Sequence, residues 1–358
     1  MMKDVQRMLL DRALPEVFRL QDGEPADEQW ARRRQDILEL LRREMFGHSP
    51  QAAPVRVQTL REDKDAFAGK ARHLRLSVGW DTPGGPFAFP LEVVLPHSQE
   101  PVPVFVHISF FPELVSIYCP VEEIVDRGFG LASFCYNDVT RDEDDGFSSG
   151  LAALYPEYRG ADGWGKIAMW AYAASRALDA LLTLPGVDAA RVAVAGHSRL
   201  GKTALWCGAN DERFALVCSN ESGCGGAALS RGKVGENIER ITSVFPHWFC
   251  GNYRAWAGRE AHAPFDQHFL LAACAPRAVA VASAQEDQWA DPVSEFLSCA
   301  AATPVWQALG QSGLVHGSAL PQPGDTLHEG SIGYHLRSGS HYFSRYDWNR
   351  FMDFFAKH

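Results

Sequence analysis

Four side chains able to carry out acyl transfer recur in one order along this chain. Ser198 sits in VAVAGHSRLGKTALW (192–206), where an apolar run meets a helical pattern. Glu221 lies in SNESGCGG (219–226), Asp287 in QEDQWADP (285–292) and His341 in RSGSHYF (337–343). A serine hydroxyl is a weak nucleophile until a base takes its proton. An imidazole near its ordinary pKa does this and later protonates the leaving group. A carboxylate orients the imidazole and stabilises its cation. The order Ser, acid, His is that of the α/β-hydrolases. Taken singly, each residue has a plainer reading. A serine at a strand-to-helix turn is often an N-cap, a loop acid often caps a turn, and most of the 13 histidines must be structural or solvated. The ordered set is what points to catalysis.

The turn around Ser198 departs from the usual G-x-S-x-G elbow, because the second glycine comes one residue late, at Gly201. Gly196 meets the need for a small residue in the tight turn, and Gly201 leaves room for the helix to pack close to the sheet. Arg199 opens that helix, so its guanidinium is expected to join backbone N–H groups in stabilising an oxyanion. Lys202 lies one helical turn beyond Ser198 and is expected to face the same pocket. Cations at a helix N-terminus oppose its dipole, which favours a role for both over a solvated first turn. Together they suit a substrate bearing negative charge or many hydroxyls.

The elements that must position these groups show in the periodicity. Residues 25–46 read as an amphipathic helix, with Trp30, Ile37, Leu38, Leu41 and Met45 on one face and arginines on the other. Residues 72–95 alternate like antiparallel strands joined at a G-G-P turn. VPVFVHIS (102–109) and FGLASFCY (129–136) are continuous apolar runs, as expected of strands covered on both faces. A helix at 166–184, strands at 191–196, 213–219 and 277–284, and a last helix from 347 complete the pattern. The expected fold is a three-layer α/β-hydrolase sandwich, its central sheet mostly parallel with antiparallel N-terminal strands. Catalytic groups belong at the carboxyl ends of its strands. The 358 residues carry no linker, repeat or low-complexity tract, so one catalytic domain spanning 1–358 is expected, with the helical segment 1–50 packed on it.

The net charge of −10 argues against non-specific binding to nucleic acid. No run approaches the roughly 20 apolar residues of a membrane span. The eight cysteines form no C-x-x-C pair and several lie in apolar runs, so buried reduced thiols are expected and neither a metal nor a cofactor. The first residues lack a secretory pattern. A cytoplasmic location is therefore expected, or a secreted one if a signal has been lost.

GHSRLGK, NESGCGGAA, FPHWF, DQWADP and R-x-G-x-H before DW-x-x-F, in order from about residue 160 onward, resemble the bacterial branch of the glucuronoyl esterases, carbohydrate esterase family 15. The resemblance implies an α/β-hydrolase that needs no cofactor and cleaves esters of (4-O-methyl-)glucuronic acid, such as those joining xylan to lignin alcohols. It implies Ser198 as nucleophile, His341 as base and Arg199 in the oxyanion hole. Lys202 and Glu236 would bind sugar hydroxyls, and Trp289 would pack beside the sugar. For the acid, the resemblance allows Glu221 or Asp287; Glu221 is taken as the partner of His341 and Asp287 as the second acid. Two other readings stay open: an esterase of acetylated xylan oligosaccharides, and a carbohydrate-binding pseudo-hydrolase without turnover.

Overall fold

A computed structural model describes residues 4–358. Among these residues, ten strands form one sheet. They are β1 (Arg56–Asp65), β2 (Ala71–Thr82), β3 (Gly85–Pro96), β4 (Val102–Ser109), β5 (Gly130–Cys135), β6 (Val187–His197), β7 (Leu216–Asn220), β8 (Ala278–Ala284), β9 (Thr326–Leu327) and β10 (Ile332–Arg337). Their spatial order is β1-β2-β3-β5-β4-β6-β7-β8-β10-β9. The six strands from β5 to β10 in that order run parallel. β1 to β3 form the expected antiparallel edge, and β9 pairs antiparallel at the other.

The apolar runs at 102–109 and 129–136 form β4 and β5, buried along nearly their whole length. Along β6, Val192 and Val194 enter one buried cluster while Ala193 and Ala195 enter another, as the two-residue period of a strand requires. The first cluster is closed by α1 (Val5–Arg12), α2 (Ala26–Leu41), α3 (Lys166–Leu181), α4 (Arg199–Asn210) and α5 (Pro292–Ala308). The second is closed by α6 (Arg345–Phe355), whose Trp348, Phe351 and Phe355 pack on the sheet. This is the helix–sheet–helix sandwich of an α/β-hydrolase.

The structure adds elements that periodicity did not show. β1 is almost entirely solvated along its length, so no apolar alternation marks it; it also carries a register shift between Thr59 and Arg61. β10 is short, and α5 is apolar nearly all round, which hides its period. The N-terminal helix ends at Leu41 and continues as a π-turn, Arg42–Phe46. Not all its arginines face solvent: Arg34 is buried and donates to the carbonyls of Ala209 (2.6 Å) and Ala273 (2.7 Å). These bonds, with Trp30 Nε1 donating to the Ala275 carbonyl, tie the N-terminal segment to the ends of α4 and the 273–275 turn. All eight cysteines are buried and unpaired, as expected. Among the described residues, no helix is long and apolar enough to cross a membrane.

Candidate active site

β6 ends at His197, and the chain turns sharply into α4 through Ser198, which holds φ 57° and ψ −124°. A non-glycine residue in this region is strained and persists only where its surroundings impose it. Ser198 stands at the N-cap position of α4, yet its side chain makes no capping bond, so the hydroxyl is not committed to the helix. Its N–H donates to the Asn220 carbonyl at 2.9 Å, which docks the turn on the end of β7. The two glycines explain the spacing. A Cβ on Gly196 would lie 2.1 Å from the Leu200 carbonyl oxygen. One on Gly201 would lie 3.0 Å from the Ser222 Cβ and 3.1 Å from the Asn220 carbonyl. The late glycine is where α4 passes close to the end of β7 and the loop after it.

His341 follows β10, and its ring lies 4.4 Å from that of His197, the neighbour of Ser198. Nδ1 of His341 is 2.6 Å from Asp287 Oδ2 and 3.2 Å from Glu221 Oε2. Asp287, expected second, therefore makes the shorter contact. Glu221 is fully occupied: Oε1 accepts from Arg337 Nη2 at 2.5 Å and Oε2 from the Tyr342 N–H at 3.0 Å. Arg337 in turn binds Asp347 at 3.0 Å, so Glu221 anchors the loop that carries His341. Burial raises the Glu221 carboxyl to about 7 against the pull of His341 and Arg337. Burial also opposes ionisation of Asp287, but the bond from His341 holds it below the ordinary carboxylate range. For His341, burial would lower the pKa, and the bonds to Asp287 and then Glu221 outweigh it, raising the ring to about 9. Ligating atoms of Glu221, Asp287 and His341 lie within 4.8 Å of one another. With Arg337 and Tyr342 donating to Glu221, the set is arranged to hold an imidazolium.

Arg199 follows the serine directly in the chain. It pairs with Asp142 and packs against three rings, Trp248 at 4.7 Å and Phe110 and Phe245 at 5.6 Å each. Asp142 also accepts from Trp248 Nε1 at 2.6 Å and His247 Nε2 at 2.9 Å. Burial disfavours its charge, but His247, Arg199 and Trp248 together bring it down to about 2. Arg199 is the first residue of α4, where a backbone N–H has no acceptor within the helix. Its main-chain N–H and guanidinium are thus both available beside the serine.

Lys202 is buried, with Nζ 2.5 Å from the Ser222 carbonyl and 5.8 Å from the Trp248 ring. Burial lowers its pKa, opposed by the charge of Glu236. Glu236 is itself nearly buried, and its N–H donates to the Trp289 carbonyl at 3.1 Å. Trp289 keeps 54% of its surface exposed, which leaves its ring open as a stacking face. The structure brings His341, Asp287 and Glu221 together beside His197, the neighbour of Ser198, sets Arg199 and Lys202 at the Trp248 ring, and joins Glu236 to Trp289 through the main chain.

The family model described as glucuronyl esterase, fungi, matches residues 81–310, more than half of the chain. The chain belongs to the glucuronyl esterase family. A carbohydrate esterase from an unknown prokaryotic organism is 35% identical over 96% of this chain and 89% of its own. The solved glucuronoyl esterase from Solibacter usitatus is 36% identical with a TM-score of 0.88, covering 96% of this chain and 97% of that one. A 4-O-methyl-glucuronoyl methylesterase from Phanerochaete carnosa is 28% identical over 84% of this chain and 73% of its own length. Like them, this glucuronyl esterase family member is a carboxylic ester hydrolase. Sequence reasoning did not assign Asp142, Phe110 or Arg337 to the site. His247 and Trp248 were visible within FPHWF, but nothing in that run shows that they close on an aspartate 105 and 106 residues earlier.

Proposed function

We propose that this chain hydrolyses uronic-acid esters of the 4-O-methyl-glucuronoyl type through an acyl-enzyme on Ser198. The observation that carries the reading is a strained, uncapped serine whose chain neighbours are His197, with its ring against that of the carboxylate-bound His341, and the caged Arg199. His341, with Nδ1–H held by Asp287, takes the Ser198 proton on Nε2. Oγ adds to the uronoyl carbonyl, and the oxyanion is met by Arg199. The ester C–O bond then breaks as His341 returns the proton to the departing alcohol oxygen. Water, deprotonated by the same ring, releases the uronate from Ser198. Lys202 and Glu236 supply a donor and an acceptor for sugar hydroxyls, and Trp289 an open aromatic face for the ring. A sugar with a neutral acyl ester and several hydroxyls fits this lining better than a lipid acyl chain.

Ser198→Ala should abolish turnover while the far-ultraviolet circular dichroism and melting temperature stay unchanged. The wild-type chain should cleave benzyl or methyl glucuronate with a far higher kcat/KM than 4-nitrophenyl acetate. Equal or reversed preference would remove the uronate part of the reading and favour an acetyl esterase. Absence of turnover on all of these esters, with no fluorophosphonate adduct at Ser198, would favour a binding protein.

A further inference from the structure

Lys166, the first residue of α3, is wholly buried. Its ammonium donates to the Arg141 carbonyl at 2.6 Å, the Glu143 carbonyl at 2.7 Å and Asp145 Oδ1 at 2.7 Å. A buried ammonium is costly unless all of its N–H groups find acceptors. Here all three do, and all within one short loop. Asp142, the partner of Arg199, lies between the first two anchor points.

The main chain of the same residue holds the opposite wall. The Lys166 N–H donates to the His247 carbonyl at 2.9 Å, and the Ile167 N–H to the Trp248 carbonyl at 3.2 Å. First-turn N–H groups have no acceptor inside their own helix, so they are free to make such bonds. The approach is close enough that a Cβ on Gly165 would fall 2.3 Å from the Trp248 carbonyl oxygen. One helix end therefore grips both sides of the Arg199 cage: Asp142 through the lysine side chain, His247 and Trp248 through backbone amides.

We propose that Lys166 is a positioning residue for Arg199, setting Asp142 against Trp248 and so the direction in which the guanidinium points. The proposal rests on Arg199 being the oxyanion donor.

The test is a cycle of Lys166→Met, Arg199→Ala and the double variant, with kcat and KM measured on benzyl glucuronate and folding checked by thermal melt. Arg199→Ala should lower kcat by about 10²–10³-fold. Lys166→Met should lower kcat by about 10²-fold with KM little changed, as expected of a misplaced catalytic group. The double variant should be no slower than Arg199→Ala, because the lysine acts through the arginine. If Lys166→Met takes its full toll again in the Arg199→Ala background, the lysine has a separate structural role and the proposal is overturned. If Lys166→Met leaves kcat unchanged while Arg199→Ala does not, the proposal alone fails. If Arg199→Ala leaves kcat unchanged, the oxyanion reading fails and the proposal falls with it. Should Lys166→Met not fold, Asp145→Asn removes one anchor at the rim of the loop, and the same cycle decides by the same criteria.

Discussion

His341 and Arg199 flank the same serine, yet His341 is held by two carboxylates and Arg199 by one. The acids on His341 come from successive strand ends, Glu221 after β7 and Asp287 after β8. Loss of either leaves the imidazole with a carboxyl partner. Among the described residues, Asp142 has no such substitute. It receives Arg199, His247, Trp248 and Tyr136 at once, so its loss would orphan four donors together. The base side of the site is duplicated, whereas the oxyanion side converges on one carboxylate.

The sharpest break of this contrast is removal of both acids. Asp287→Asn with Glu221→Gln should lower kcat by about 10⁴-fold, the scale of losing the orienting acid of a triad. The single variants should each cost much less, leaving a non-additive gap of about 1–3 kcal/mol. Additive singles in steady-state kinetics would show that the acids are not interchangeable. Next in size, Asp142→Asn should lower kcat by about 10²-fold, because Arg199 loses its ion pair with Asp142 and its aim. A change smaller than that of either single acid variant would contradict the convergence on Asp142. The smallest effect concerns pH. His341 must be neutral to accept the Ser198 proton, and its partners raise it to about 9. The kcat/KM of the wild-type chain should therefore rise with pH through the neutral range toward that value. Asp287→Asn removes the leading cause of the raised pKa, so the acid limb should move down by about one unit. A limb that stays in place would assign it to a group other than His341.

Much of this site was legible because its parts lie at the ends of apolar strands. β6, β7 and β8 announce themselves as buried runs, and Ser198, Glu221 and Asp287 follow each in turn. The ranking of the acids was not legible. Both loops offer a carboxylate, and only the fold shows Glu221 occupied by Arg337 and Tyr342 while Asp287 sits closer to the ring. The arginine cage was hidden for another reason. Its members come from irregular loops around 142 and 245–248, where no period links a residue to its neighbours in space. Lys202 lies in the first turn of α4, but its burial against the Ser222 carbonyl follows from the loop after β7 rather than from helical spacing.

The two outer strands of the sheet bear on how the molecule behaves in crowded solution. A ten-stranded sheet with a long, apolar, unpaired margin would recruit further chains by strand addition and grow into aggregates. β1 instead carries Arg61, Glu62, Asp63, Lys64 and Asp65 on a strand broken in register, and β9 at the far margin is only two residues long. Replacing the charges of β1 with valines would leave the catalytic chemistry untouched while turning that margin into a template for polymerisation.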